Sequence, residues 1–288
     1  MAIIIDGRKL AEKIKDNIVK EIIKLGDNKR PNLAIILIGE RKDSKLYVDL
    51  KEKEAKKVGI DTHVYRCLSD TPEPEIFEMI DCLNKDDLID AILVQLPLPI
   101  GFDTDGIILA IDPAKDVDRF HPNNLELLFK TCNHKHVLPP VYEAVLEILS
   151  SINYKIKNSR ACIITNSNIF GKGMAKVLDC LGAECDMASA GNMNFKNKIA
   201  RADILITAVG KKHFIKKDMI KKDAVIIDIG IIQEGNKING DVDFNNVKNK
   251  AAYITPVPGG VGPMTIAMLF KNTLALHNKR LNNKYNSF

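Results

Sequence analysis

The feature that most constrains this chain is an alternation, made twice, of short apolar runs with longer segments of helical periodicity. "NLAIILIG" (32–39), "THVYRCL" (62–68) and "AILVQL" (91–96) read as strands. Nearly continuous apolar runs of this length belong to strands covered on both faces. Between them, "SKLYVDLKEKEAKKV" (44–58), with Ser44 as its cap, and "EPEIFEMIDCLN" (73–84) place apolar residues at helical spacing. The result is a βαβαβ unit with a parallel sheet. A second series follows in "ACIIT" (161–165), "AECDMAS" (183–189), "ADILITAV" (202–209) and "AVIIDIG" (224–230), with "GKGMAKVLDCLG" as its first crossover helix. "PPVYEAVLEILSSI" (139–152) is predicted to be a connecting helix holding the domain boundary. The fold class is therefore α/β, with two α/β domains around a cleft at residues 1–145 and 146–263, and a C-terminal helix (264–280) returning to the first. Ligands of such folds bind at the carboxyl ends of the strands.

Composition narrows the function. The chain has 288 residues, 45% hydrophobic and 27% charged, as in ordinary globular proteins. No apolar run approaches the roughly 18 residues that span a bilayer, and "MAIIIDGRKL" is too short and too soon charged for a signal peptide. A cytoplasmic protein without a membrane partner is expected. The formal charge of +5 is scattered, with no Trp and no aromatic–basic ladder, which argues against nucleic acid and suits a small anionic substrate. Cys67, Cys82, Cys132, Cys162, Cys180 and Cys185 form no CxxC pair and are read as buried thiols. His134 and His136 lack carboxylate or thiol partners at ligand spacing, so no metal is expected.

Four stretches carry chemistry. Tyr47 and Lys51 are spaced i, i+4 and share one helix face; a solvated lysine beside a half-buried tyrosine is the bland outcome, an aromatic platform beside a proton-transferring amine the sharp one. "VQLPLP" (94–99) ends a buried strand in a glutamine that prolines follow at once. "DPAKDVDRFHP" (112–122) holds an aspartate, Asp118, that can turn inward. "ITPVPGGVGPMT" (254–265) packs three prolines and three glycines between Pro256 and Pro263, a rigid bend poor in side chains.

Together with "SNIFGK" (167–172) and "GDVDF" (240–244), in order and at the right spacing, these stretches resemble the signatures of bifunctional methylenetetrahydrofolate dehydrogenase/cyclohydrolases. The resemblance covers nearly the whole chain. It implies oxidation of 5,10-methylenetetrahydrofolate to the methenyl cation with a nicotinamide cofactor, then hydrolysis to 10-formyltetrahydrofolate. It also implies a homodimer and a Rossmann-like second domain. By the same resemblance, Tyr47 stacks on the folate, Lys51 carries hydrolytic protons helped by Gln95, and Asp118 anchors the pterin. Val94, Leu96 and the loop Pro258, Gly259, Gly260, Val261, Gly262, Pro263 then line the substrate, while Thr165, Asn166, Ser167, Ser189, Gly210, Gly230 and Ile231 meet the cofactor.

The chain departs from the family pattern in places. Arg119 and Glu126 stand where glycines are usual, "PPVYEA" (139–144) loses a threonine and a proline, and Lys212 replaces a proline. Arg119 is expected to strain the backbone or crowd the pocket beside Asp118. An active bifunctional enzyme and a folate-binding homologue with impaired hydride transfer therefore both stay open. No acid repels a 2′-phosphate near Ser189 and no arginine attracts one, so NADP over NAD follows the family's habit.

Overall fold

The computed structural model describes residues 1–26, 29–132, 137–191, 195–235 and 237–285. Its elements run β1 (Ile3–Ile4), α1 (Gly7–Leu25), β2 (Asn32–Ile38), α2 (Lys42–Val58), β3 (Asp61–Cys67), α3 (Glu73–Lys85), β4 (Ala91–Val94), α4 (Thr104–Ala110), α5 (Pro122–Thr131) and α6 (Pro140–Ser151). They continue with β5 (Arg160–Thr165), α7 (Asn168–Cys180), β6 (Glu184–Ala188), α8 (Phe195–Ile199), β7 (Ile204–Ala208), β8 (Val225–Asp228), β9 (Ile232–Glu234), β10 (Lys237–Asn239), α9 (Phe244–Val247), β11 (Tyr253–Ile254) and α10 (Val261–Tyr285).

One compact unit comprises Glu12–Leu127, Lys135–Pro140 and Ile266–Phe288. Its sheet has the order β3-β2-β4, all parallel, with Ile35 opposite both Val64 and Leu93. Alternate residues of β2 feed two cores, as the period of a strand requires. Leu33, Ile35 and Leu37 pack with Ile18, Ile22, Leu269 and Phe270, whereas Ala34, Ile36 and Ile38 pack with Ile76, Ile80 and Ile107. A strand sealed on both faces can present polar groups only at its ends, and that is where the chemistry gathers.

The other unit comprises Met1–Ala11, Leu128–His134 and Val141–Thr265. Its six-stranded sheet has the order β1-β11-β8-β7-β5-β6, with every pairing parallel. A β9–β10 hairpin stands apart from the sheet. Its core gathers Cys162, Ile164, Leu205 and Ile226 from the strands with Ile199, Ile215 and Val247.

The structure differs from the sequence reading in several places. Residues 1–145 do not form one body, because β1 joins β11 through the pairs Ile3–Tyr253 and Ile4–Ile254 in the six-stranded sheet. A two-residue edge strand carries no periodicity of its own, so only its partner reveals it. Helix α10 begins at Val261, inside the Pro/Gly bend, and from Ile266 onward belongs to the three-stranded unit. Ser44 does not cap α2, which starts at Lys42 after Arg41; Ser44 lies buried in the first turn. Cys132 and Cys180 are joined in a disulfide, with Cα atoms 5.5 Å apart, rather than being buried thiols. Among the other cysteines, Cys162 is buried, Cys82 exposed, and Cys67 and Cys185 intermediate. No helix is long and apolar enough to cross a membrane. Among the described residues no His, Cys, Asp or Glu group could hold a metal, and His134 and His136 lie outside them.

Candidate active site

In the three-stranded unit, β4 ends at the buried Val94, and the Gln95 N–H still donates to the Ile36 carbonyl at 2.9 Å. Pro97, which has no N–H to donate, then ends the ladder, and Leu96 is exposed. The Gln95 amide nitrogen donates to the Leu96 carbonyl at 2.7 Å, which turns Oε1 toward α2. There it accepts from the Lys51 ammonium at 2.8 Å. Tyr47, one turn earlier on α2, is half-buried. The buried Ser44 hydroxyl, a further turn back on the same face, has no hydrogen-bond partner among the described residues.

Electrostatics single out two of these groups. Burial lowers the pKa of Lys51 against the opposing pull of Asp118. Burial raises Asp118 from 3.8 to about 6, with Lys51 lowering it and Asp116 adding to the rise. Lys51 and Asp118 are thus coupled, and each is pushed toward its neutral form. Displaced values of this kind, produced by burial together with a specific charge partner, make the pair a functional-site candidate. Tyr47 is also raised, chiefly by burial and then by Asp43.

Asp118 is held by a turn that the sequence reading did not resolve. The buried Asp116 carboxylate accepts from the backbone N–H groups of Arg119 (3.0 Å) and His121 (2.8 Å) and from the Asn124 amide (3.0 Å). An acid gathering the next backbone donors is an Asx-type turn, so its signal was the aspartate two residues before Asp118. Arg119 takes φ = 60°, the left-handed region that glycine occupies without cost. Its guanidinium donates to the carbonyls of Pro113 (2.8 Å) and Val137 (3.4 Å). The buried Asn272 amide of α10 stitches the same two segments, donating to Val117 O (3.1 Å) and Leu138 O (2.9 Å). An asparagine inside the apolar run "AMLFKNTLAL" was its only trace in the sequence.

In the six-stranded unit, the predicted cofactor residues cluster at the carboxyl ends of the strands. Thr165 closes β5, and its hydroxyl accepts from Ser167 N at 3.0 Å. Ser167 caps α7, accepting from Phe170 N at 3.3 Å, and Asn166 donates to Val209 O at 3.0 Å. A Cβ on Gly171 would lie 2.5 Å from the Met187 methyl and 2.9 Å from Thr165, so glycine lets α7 approach the sheet. Ser189 is exposed just beyond β6, and Gly210 (φ = 73°) opens onto free space past β7. Beyond β8, Gly230 is buried and Ile231 exposed. Beneath Gly230, the Asp228 carboxylate accepts from the N–H groups of Gly230, Asp241 and Val242. Asp241 accepts in turn from Thr207, Val209 N and Lys211 N. Burial raises Asp228 to about 7, with Asp241 contributing, while the backbone donors oppose the rise. A capped helix terminus, close glycines and an open strand-end ledge fit a dinucleotide.

The Pro/Gly bend, from Pro258 through Gly259, Gly260, Val261 and Gly262 to Pro263, also lies in this unit. Val257–Pro258 is cis, and Gly259 has φ = 106° with the Arg8 guanidinium against it. A side chain on Gly7 would strike the Gly260 carbonyl. Tight backbone packing explains why the bend is short of side chains.

Two family models divide the sequence along these lines. The tetrahydrofolate dehydrogenase/cyclohydrolase catalytic domain matches residues 5–118, and the tetrahydrofolate dehydrogenase/cyclohydrolase NAD(P)-binding domain matches residues 139–281. The chain belongs to the tetrahydrofolate dehydrogenase/cyclohydrolase family. It is 45% identical over 279 residues to the bifunctional protein FolD of a Nitratiruptor species, covering 96% of this chain and 98% of that one. The crystal structure of the bifunctional FolD enzyme from Campylobacter jejuni superposes with a TM-score of 0.93 at 37% identity, covering 97% and 100%. FolD of Trypanosoma brucei, complexed with NADP cofactor and inhibitor, gives a TM-score of 0.93 at 31% identity, covering 97% and 98%. Within this family, the catalytic-domain model holds Tyr47, Lys51, Gln95 and Asp118, and the NAD(P)-binding model spans the ledge from Thr165 to Ile231.

Proposed function

We propose that this chain is a bifunctional one-carbon enzyme that oxidises 5,10-methylenetetrahydrofolate with NADP and hydrolyses the methenyl product to 10-formyltetrahydrofolate. The contact that carries the reading is the Lys51 ammonium on Gln95 Oε1, with Asp118 charge-coupled to the same lysine. Tyr47 gives the folate ring an aromatic face. Asp118, when ionised, accepts from the donor edge of the pterin, a charge-assisted bond that sets the ring's register.

Bound NADP supplies the hydride acceptor; the protein's own residues orient the folate and move protons. The methenyl cation further disfavours the Lys51 ammonium, so the amine takes a proton from the water that attacks the methenyl carbon. N5 is protonated as its bond to that carbon breaks, the formyl group stays on N10, and one proton is released overall. Gln95 holds Lys51 in place through this exchange. Thr165, Asn166, Ser167, Ser189, Gly210, Gly230 and Ile231 receive the dinucleotide. The enzyme works in the cytoplasm as a homodimer, a reading supported by the family resemblance.

The Arg119 guanidinium is held by the Pro113 and Val137 carbonyls. The deciding experiment follows methenyl absorbance during incubation with methylenetetrahydrofolate and NADP, then its decay on hydrolysis. Failure of the absorbance to rise with either nicotinamide cofactor would remove the dehydrogenase half.

A further inference from the structure

The exposed end of β6 decides how a dinucleotide's adenosine ribose is read. In a doubly wound sheet that ribose meets the end of the strand beside the first βα turn, where an acid selects a free 2′-hydroxyl and a cation a 2′-phosphate. Here the first turn follows β5, and β6 is the strand beside it. Each polar side chain of that turn already makes one hydrogen bond, Asn166 donating to Val209 O and Ser167 accepting from Phe170 N at the start of α7. Both are neutral in any case. Ser189 supplies a neutral hydroxyl.

The charge comes from elsewhere in the chain. Lys198, near the end of the short helix α8, reaches back so that its ammonium donates to Met187 O at 2.9 Å. Met187 is the penultimate residue of β6, two positions before Ser189. The ammonium also lies 3.4 Å from Asp186 Oδ1, a carboxylate whose side chain is 56% exposed. Lys198 itself is only half-buried, so its four-carbon stem can swing from a neutral carbonyl to a nearby anion. Exchanging the carbonyl contact and the exposed Asp186 carboxylate for a doubly charged phosphate ester favours the second partner.

We propose that Lys198 is the residue that selects NADP over NAD, its ammonium binding the 2′-phosphate beside the Ser189 hydroxyl at the end of β6. The inference rests on the reading of this unit as the NAD(P)-binding domain and adds to it the group that discriminates. Asp186 remains the counter-ion of Lys198 when no phosphate is present, and it tempers the preference without reversing it.

The test is equilibrium binding of NADP and NAD, followed by nucleotide fluorescence or calorimetry, to the wild type, Lys198→Met and Lys198→Arg. The wild type should favour NADP. Lys198→Met should weaken NADP binding by roughly 10- to 100-fold, the scale of a hydrogen bond between charged groups, and leave NAD binding unchanged. Lys198→Arg should restore discrimination, which a variant that merely disturbed α8 would not do. NADP binding to the wild type should also weaken with added salt more steeply than NAD binding, a difference absent from Lys198→Met. If Lys198→Met keeps the wild-type preference, Lys198 is not the selector although the domain reading stands. If the wild type binds neither dinucleotide, both the domain reading and this inference fall.

Discussion

The Lys51 ammonium and the Gln95 Oε1 meet at 2.8 Å, joining the middle of α2 to the residue just past β4. Lys51→Met should therefore remove the proton carrier but keep the packing of its stem. Cyclohydrolase activity should fall by about 10²- to 10⁴-fold, the range for general acid–base catalysis, with the folate Kd largely unchanged. Stopped-flow decay of methenyl absorbance measures the first, and fluorescence titration with a folate analogue the second. Near wild-type hydrolysis would refute the assignment.

Asp118 makes folate binding depend on pH. Its pKa is raised in the fold from 3.8 to about 6. The neutral acid's favourable contribution to stability is present below the lower value and is lost as pH rises through the higher one. The ionised form that holds the pterin appears over the same window, so folate affinity should rise between pH 5 and 7, near the value of about 6. Asp118→Asn should flatten that profile and weaken binding at pH 7 by roughly 1.5–3 kcal/mol. A variant that keeps the wild-type pH profile would exclude Asp118 as its source.

Arg119→Gly sets two effects against each other. Glycine relieves the left-handed backbone, worth on the order of 1 kcal/mol. It also deletes the guanidinium bonds to Pro113 O and Val137 O, of which only the first, at 2.8 Å, is short. Hydrogen bonds from charged groups contribute about 1.5–3 kcal/mol each, so a net destabilisation of about 1–2 kcal/mol is expected. Thermal unfolding should show a lower Tm, with the folate Kd changed little. An unchanged or higher Tm would mean that backbone relief wins.

The Cys132–Cys180 disulfide closes a separation of 48 residues. The chain-entropy estimate for such a loop is about 4 kcal/mol. A thiol reductant should lower the Tm of the wild type and leave Cys180→Ala unaffected by its addition. Alkylation and mass measurement of protein isolated under acid quench report how much of the pair is closed in the cell. A wild-type Tm indifferent to reductant would show that the bridge contributes nothing.

The strands and helices around the site were legible wherever period and punctuation agreed. "AILVQLPLP" shows an apolar run, a polar terminus and prolines, and the structure has β4 ending at Val94 with Gln95 still bonded to Ile36. Tyr47 and Lys51 were readable as a pair because helix geometry alone puts i and i+4 on one face. Arg119's positive φ was also legible, since it stands where the family carries glycine.

What the sequence determined by itself was local: element identity, strand ends and the residues presented there, all set by interactions within a few positions along the chain. Tertiary structure alone decided the long-range pairings. β1 pairs with β11 across some 250 residues, and Cys132 reaches Cys180. Asn272 serves Val117 and Leu138, and Lys198 is carried to Met187. The Arg119 side chain belongs to the same class, since its carbonyl acceptors lie six and eighteen positions away. The reason is physical. Periodicity reports which face of an element is buried, but a buried amide, an edge strand or a lysine chooses its partner only from what the packed chain brings within hydrogen-bonding distance.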